Sequence, residues 1–180
     1  MPVPLPDQTV LGLLAAKPQH GYELLSHFQN KSELGRVWTL SSSQLYAVLK
    51  RLEQSGFAKG RWKESSRAPA KRQYTITASG KRQLDSWLYS TELSSSIRTV
   101  RVQFLSRLYI AKRLGIPLRP LIENQRRVCK KQSELLRKIR EDGSRGIEPL
   151  VLGFVLGQLE AVLKWLDEVE KTASKLRLPG

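Results

Sequence analysis

Leu40–Phe57 reads L-S-S-S-Q-L-Y-A-V-L-K-R-L-E-Q-S-G-F, and the rest of the chain is organised around it. Ser41 followed three residues later by Gln44 is a capping-box pattern: hydroxyl and side-chain amide serve the orphan N–H groups of a helix start. Leu45, Val48, Leu49 and Leu52 then fall at i, i+3, i+4 and i+7, one apolar stripe of an amphipathic helix. The opposite face carries Ser42, Ser43, Gln44, Tyr46, Lys50 and Arg51, and Gly56 stands where a C-cap glycine belongs. Beyond it the period changes from 3.6 to 2. F-A-K-G-R-W-K-E and K-R-Q-Y-T-I-T alternate around the tip S-S-R-A-P-A, which predicts a β-hairpin. A polar-faced helix followed at once by a basic hairpin is a helix-turn-helix with a wing.

Charge supports that reading. From Lys50 to Arg82 there are ten Lys and Arg against two acids, Glu53 and Glu64. A surface built only for solubility intersperses the two signs. One sign gathered along a helix and its hairpin is a footprint for phosphate. The whole chain of 180 residues carries a formal net charge of +15, which bears on partners rather than on fold. Nucleic acid is the first polyanion to consider and an anionic membrane the second. A single cysteine, Cys129, excludes an internal disulfide and suits a reducing cytosol. The start M-P-V-P-L-P-D lacks a basic n-region, and no apolar run approaches the ~18 residues of a membrane span, so the expectation is a soluble, cytoplasmic protein.

Taken in order, Asp7 is expected to cap a first helix that ends at Lys17-Pro18. Gln19-His20-Gly21 turns into a second helix from Tyr22 to about Lys31, and Thr77 caps a fourth, A-S-G-K-R-Q-L-D-S-W-L-Y. The predicted order is α-α-α-β-β-α over residues 1–90, a winged helix-turn-helix domain. Residues 91–96 are a small polar linker. Residues 97–180 read as a helical domain, so the fold class is mainly α with a small β-hairpin. Its broad apolar stripes include a near-heptad from Leu118 to Ile139, and heptad seams want a partner. Dimerisation is expected there, through Phe104, Leu108, Leu121, Val128, Leu135, Phe154, Leu159, Val162 and Leu166. Gly153, Gly157 and Ala161, every fourth residue of the last helix, form a small-residue face that admits another helix.

At L-G-L-L-A-A-K-P-Q-H-G-Y-E-L-L (11–25), S-Q-L-Y-A-V-L-K-R-L-E-Q-S-G-F (43–57) and K-R-Q-Y-T-I-T-A-S-G (71–80) the chain resembles the PadR family of winged helix-turn-helix transcriptional regulators. The resemblance covers about residues 7–90. K-W-L-D (164–167) is similar, more weakly, to the branch with a larger C-terminal domain. Ser43 stands where that family usually has Gly, Ala47 where it has Pro, and Gln73 where it has an aromatic or small polar residue. The resemblance implies a homodimeric DNA-binding repressor, often controlled by a small molecule, with dimerisation through the C-terminal helices.

Residue roles follow from geometry. A helix of ~10–12 Å diameter fits a major groove ~12 Å wide, and its N-terminal residues enter deepest. Ser42, Ser43, Gln44 and Tyr46 are therefore the candidates for base edges. His20, Gly21, Tyr22, Lys50 and Arg51 are candidates for the phosphate backbone, with Arg61, Lys63, Arg67, Lys71 and Arg72 for the wing. The expected partners are double-stranded DNA, a second copy of the chain and an unidentified effector, with no membrane. No cofactor or metal is expected: two histidines and one cysteine make a poor ligand set. An enzyme is not expected either, since no G-x-G-x-x-G, H-E-x-x-H, G-x-S-x-G or phosphate loop is present. The alternative is a winged-helix RNA-binding or protein-adaptor module without operator specificity.

Overall fold

The computed structural model describes residues 5–31, 33–65, 68–143 and 145–175. Two compact units emerge: residues 1–90 with 105–116, and residues 91–104 with 117–180. The sequence reading placed all of 97–180 together. The structure groups 105–116 with the N-terminal unit instead. The reason is packing at a glycine: a Cβ on Gly12 would stand only 2.4 Å from Ile110, so the bare glycine lets that helix lie against the first one.

The first unit is built on α1 (Leu5–Ala16), whose residues from Asp7 to Leu14 are all buried. Such a helix, covered all round, belongs in the middle of a core. Asp7 is not its cap, as the sequence suggested. The helix starts two residues earlier, and the buried Asp7 carboxylate accepts two hydrogen bonds from Arg51, at 2.6 and 3.1 Å. After α1 come β1 (Gln19–His20), α2 (Gly21–Gln29), a 3-10 turn (Glu33–Arg36), α3 (Ser42–Gln54), β2 (Ala58–Ser65), β3 (Ala68–Ile76) and α4 (Ala78–Leu88). The sheet has three strands in the order β1-β3-β2, all neighbours antiparallel. The predicted hairpin is β2–β3, with Gly60 opposite Tyr74 and Trp62 opposite Arg72. The short β1, read from sequence as a turn, pairs Gln19 with Tyr74 and His20 with Gln73. Gln19 is held there by donating from Nε2 to the Leu13 carbonyl at 2.8 Å.

Cap chemistry fixes the joints. Gly56 has a φ of +69°, a left-handed conformation that turns the chain out of α3. Its carbonyl accepts hydrogen bonds from both Thr77 Oγ1 (2.7 Å) and Ser79 Oγ (2.8 Å). Thr77 Oγ1 in turn accepts from the Gly80 N–H at 3.0 Å, capping α4 as expected. A Cβ on Gly80 would lie 2.1 Å from the Phe57 carbonyl oxygen, so T-A-S-G needs its glycine for contact rather than for torsion. Leu45, Val48, Leu49 and Leu52 are buried as their spacing required, alongside Leu11, Leu24, Phe28, Leu84 and Leu88. The last helix of this unit, α6 (Leu105–Arg113), adds Ile110 to the same core.

The second unit contains a helical turn α5 (Ile97–Thr99) continued by a π-helical turn (Val100–Phe104), then α7 (Arg119–Glu141) and α8 (Glu148–Lys175). Arg126 of α7 pairs with Glu170 at 2.6 Å and Asp167 at 3.0 Å, and Arg137 pairs with Glu160 at 2.9 Å. Those positions run in opposite senses, so α7 and α8 are antiparallel. The Phe104 ring meets Trp165 edge-on, with centroids 6.2 Å apart. Cys129 is a free, buried thiol, and burial pushes its pKa up.

Two expectations change here. Phe104, Leu108, Leu121, Leu159 and Leu166 are buried within the single chain. Of the nine residues expected at a dimer seam, Leu135 and Phe154 are the exposed ones, with Val128 and Val162 half-buried. The expectation that no segment approaches membrane-span length also fails. By length and composition the segment 148–172 would suffice, with a mean hydropathy of 1.4 in its most apolar window. Counting unbroken apolar runs hid this, since Gln158, Glu160 and Lys164 interrupt a helix that is otherwise apolar. One such helix is weak evidence of a span, and Glu160 is paired with Arg137 of α7.

Candidate nucleic-acid interface

The first turn of α3 is presented to solvent by its cap. Ser41 Oγ accepts from the Gln44 N–H at 3.2 Å, and Gln44 Oε1 accepts from the Ser41 N–H at 2.9 Å. Both halves of the predicted capping box are thus present. Ser42, Ser43, Gln44 and Tyr46, the four base-edge candidates, are all exposed at the start of α3. The cap has a consequence for reading. A bidentate contact to adenine needs the Gln44 amide oxygen and nitrogen together. That oxygen already serves the helix, and Ser43 Oγ is hydrogen-bonded to Ser41 Oγ at 3.0 Å. Ser42 and the phenol of Tyr46 carry no such bond to the cap.

Beside this surface stands the start of α2. The His20 N–H donates to Glu23 Oε2 at 2.7 Å, and His20 Nδ1 donates to the Arg72 carbonyl at 3.1 Å. The His20 and Tyr22 rings stack, with centroids 5.7 Å apart and planes 6° from parallel. Lys71 Nζ lies 5.0 Å above the Tyr22 ring, a cation–π contact. Gly21 is where α2 and α3 meet: a Cβ there would come 2.9 Å from the Tyr46 hydroxyl.

The cations divide into two groups that sequence could not separate. Arg51 is committed to Asp7, and that hydrogen bond raises its pKa. Arg72 donates to Glu53 Oε1 at 2.7 Å and lies over the Tyr74 ring, while Glu53 Oε1 also accepts from the Gly60 N–H at 2.9 Å. Both arginines tie elements together. Burial pushes the Tyr74 phenol's pKa up. Lys50, Arg61 and Lys63 are exposed, and no ion pair engages them among the described residues. Arg67 falls outside the described residues. Trp62, on the wing, was no candidate from sequence and is 69% exposed. Alternation puts it on the strand face of Ala58 and Gly60, opposite Arg61 and Lys63, so neither charge nor helix position marked it.

A polar helix start, a preceding helix abutting it through glycine and a cationic hairpin define a winged helix-turn-helix. Residues 10–86 match the model of the transcriptional regulator PadR-like family. Over 100 residues it is 36% identical to the negative transcriptional regulator PadR of Bacillus subtilis (strain 168). That match takes in 56% of this chain and 53% of that one, so the chain spans about half the length of the curated relative. Among solved structures it is similar to B. subtilis PadR in complex with operator DNA, at a TM-score of 0.46 and 26% identity, over 93% of this chain and 98% of that one. It is similar also to the PadR family transcription regulator from Clostridium difficile R20291, at a TM-score of 0.39 and 25% identity, over 46% and 81% of the two chains.

Proposed function

We propose that the chain is a sequence-specific regulator of transcription that binds double-stranded DNA as a homodimer on an inverted-repeat operator. It acts in the cytoplasm as a repressor released by a small-molecule effector, and it is not an enzyme. The observation that carries this reading is the exposure of Ser42, Ser43, Gln44 and Tyr46 at the start of α3, together with exposed Lys50, Arg61 and Lys63, which no ion pair engages among the described residues. The relative named a negative transcriptional regulator supports repression. The effector rests on the family resemblance alone.

A second copy of the chain is supported by α8. Its first half exposes Leu150, Val151 and Phe154, with Ile147 exposed just ahead of it, and a Cβ added to Gly153 or Gly157 would meet nothing within 4 Å. An apolar ridge beside an empty small-residue face invites a helix that the described residues of its own chain do not supply.

Selection of bound sequences from random duplex DNA tests class, symmetry and spacing together. An inverted repeat with half-sites one or two helical turns apart is the expected product. With some six to ten phosphates neutralised, affinity should fall ~10³–10⁵-fold between 50 and 200 mM salt. A flat salt response, or no enriched sequence, would sink the reading.

A further inference from the structure

His20, Gly21, Tyr22, Tyr46, Trp62 and Lys71, above a floor of Arg72 and Tyr74, enclose an open cleft of about 420 Å³ where α2, α3 and the wing converge. We propose that this cleft is a strand clamp, seating one deoxyribose-phosphate segment of the bound duplex between the Trp62 indole and the rings of Tyr22 and Tyr46, with Lys71 against the phosphate. The inference rests on the DNA-binding reading and adds to it a site, an occupant and a residue, Trp62, that neither charge nor helix position singled out.

The shape of the cleft selects its occupant. A small-molecule pocket buries most of its ligand, ~70–90% of the surface. Here Tyr22, Tyr46 and Trp62 are 57%, 51% and 69% exposed, so the walls are open to a chain that enters and leaves. The charge also selects. Arg72 is neutralised by Glu53, which leaves the Lys71 ammonium as the cleft's uncompensated cation, poised 5.0 Å above Tyr22. At the mouth, the Gly21 and Tyr22 N–H groups open α2, where the first amides of a helix have no intrahelical acceptor. One alternating polymer presents apolar sugar faces and single negative charges at regular spacing, and that is a nucleic-acid strand.

Position makes the strand that of the duplex being read. Tyr46 lies one helical turn beyond Ser42 on α3, so whatever occupies the cleft borders the groove that the first turn enters. The lining is also held rigidly: His20 is bonded to the Arg72 carbonyl and stacked on Tyr22, and Tyr46 abuts Gly21. A preformed site loses little freedom on binding. Because sugar and phosphate carry no sequence, Trp62 contributes affinity without base preference.

The test uses the full chain, a fluorescein-labelled 30-base-pair duplex containing the selected sequence, and a second duplex of scrambled sequence. Trp62→Ala should weaken both by a similar factor, on the order of tenfold, for the lost apolar contact of the indole with the sugar. Trp62→Phe should recover most of that loss. Trp62→Ala should leave the slope of log affinity against log salt unchanged, whereas Lys71→Gln should reduce it by about one. Trp62 is exposed, so neither substitution removes core. Wild-type affinity in Trp62→Ala, or a change in base preference at one position, overturns the clamp and leaves the regulator standing. A wild-type chain that binds neither duplex at low salt overturns both.

Discussion

Arg51 and Lys50 are neighbours on the same helix with the same charge, yet they do different work. Lys50 is exposed, while Arg51 reaches back to the buried carboxylate of Asp7. The two ends of that bridge are unequal: the Arg51 side chain keeps 47% of its exposure and the Asp7 side chain 5%. Removing Asp7 lets the guanidinium turn to water, so Asp7→Ala should cost about 1 kcal/mol. Removing Arg51 strands a carboxylate in the core, so Arg51→Ala should cost about 3 kcal/mol. Urea denaturation of the two variants checks the order, and equal losses would mean that the carboxylate finds another donor. Gln44 poses a second question at this scale. Its oxygen caps α3, and its amide nitrogen is what a base edge would read. Gln44→Glu keeps the cap oxygen and removes the donor. Thermal stability should stay within about 0.5 kcal/mol of wild type while preference at one base position relaxes by about 1–3 kcal/mol. Loss of stability with unchanged base preference would show that Gln44 only caps.

At the scale of elements, the wing and the reading helix should respond differently to truncation. Arg61 is exposed on β2, and a phosphate contact carries no sequence. Arg61→Ala should weaken selected and scrambled duplexes alike and lower the salt slope by about one, which filter binding at several salt concentrations will show. A loss confined to the selected duplex would mean that the wing reads bases. These elements were legible in the sequence because each carries its own signal: a capping box and a 3.6-residue stripe for α3, alternation for the hairpin, and Thr77 for α4. What was hidden depends on distant residues. β1 has two residues, too few to show a period, and exists because β3 offers it an edge. The sorting of cations was equally invisible, because Asp7 is 44 residues from Arg51 and Glu53 is 19 from Arg72. The helix 105–113 reads as amphipathic wherever it packs, and a glycine some 98 residues away, Gly12, shows where it does.

For the whole molecule, the apolar stripes of the C-terminal helices were plain in the sequence, but their division between inner and outer seams was not. Periodicity reports that a face is apolar, not which protomer covers it. The structure makes the division along α8. Leu152, Leu156, Leu159 and Leu166 are buried, while Leu150, Val151 and Phe154 stand out, together with Ile147 just before the helix. If the outer set meets a second copy, a charge placed there should separate protomers without unfolding either. Phe154→Glu is therefore expected to sediment as a monomer with a helical circular-dichroism spectrum unchanged from wild type. Leu159→Glu, a charge driven into a position 1% exposed, should instead unfold its helix pair. The monomeric variant carries the decisive consequence for DNA. Two half-sites bound by linked heads gain an effective concentration that a lone head lacks. Phe154→Glu should therefore bind a single half-site as wild type does, yet lose its advantage on the full inverted repeat by about 10²-fold or more. A Phe154→Glu chain that remains dimeric, or that binds the full repeat unimpaired, would place the protomer contact elsewhere and leave the exposed ridge of α8 to another partner.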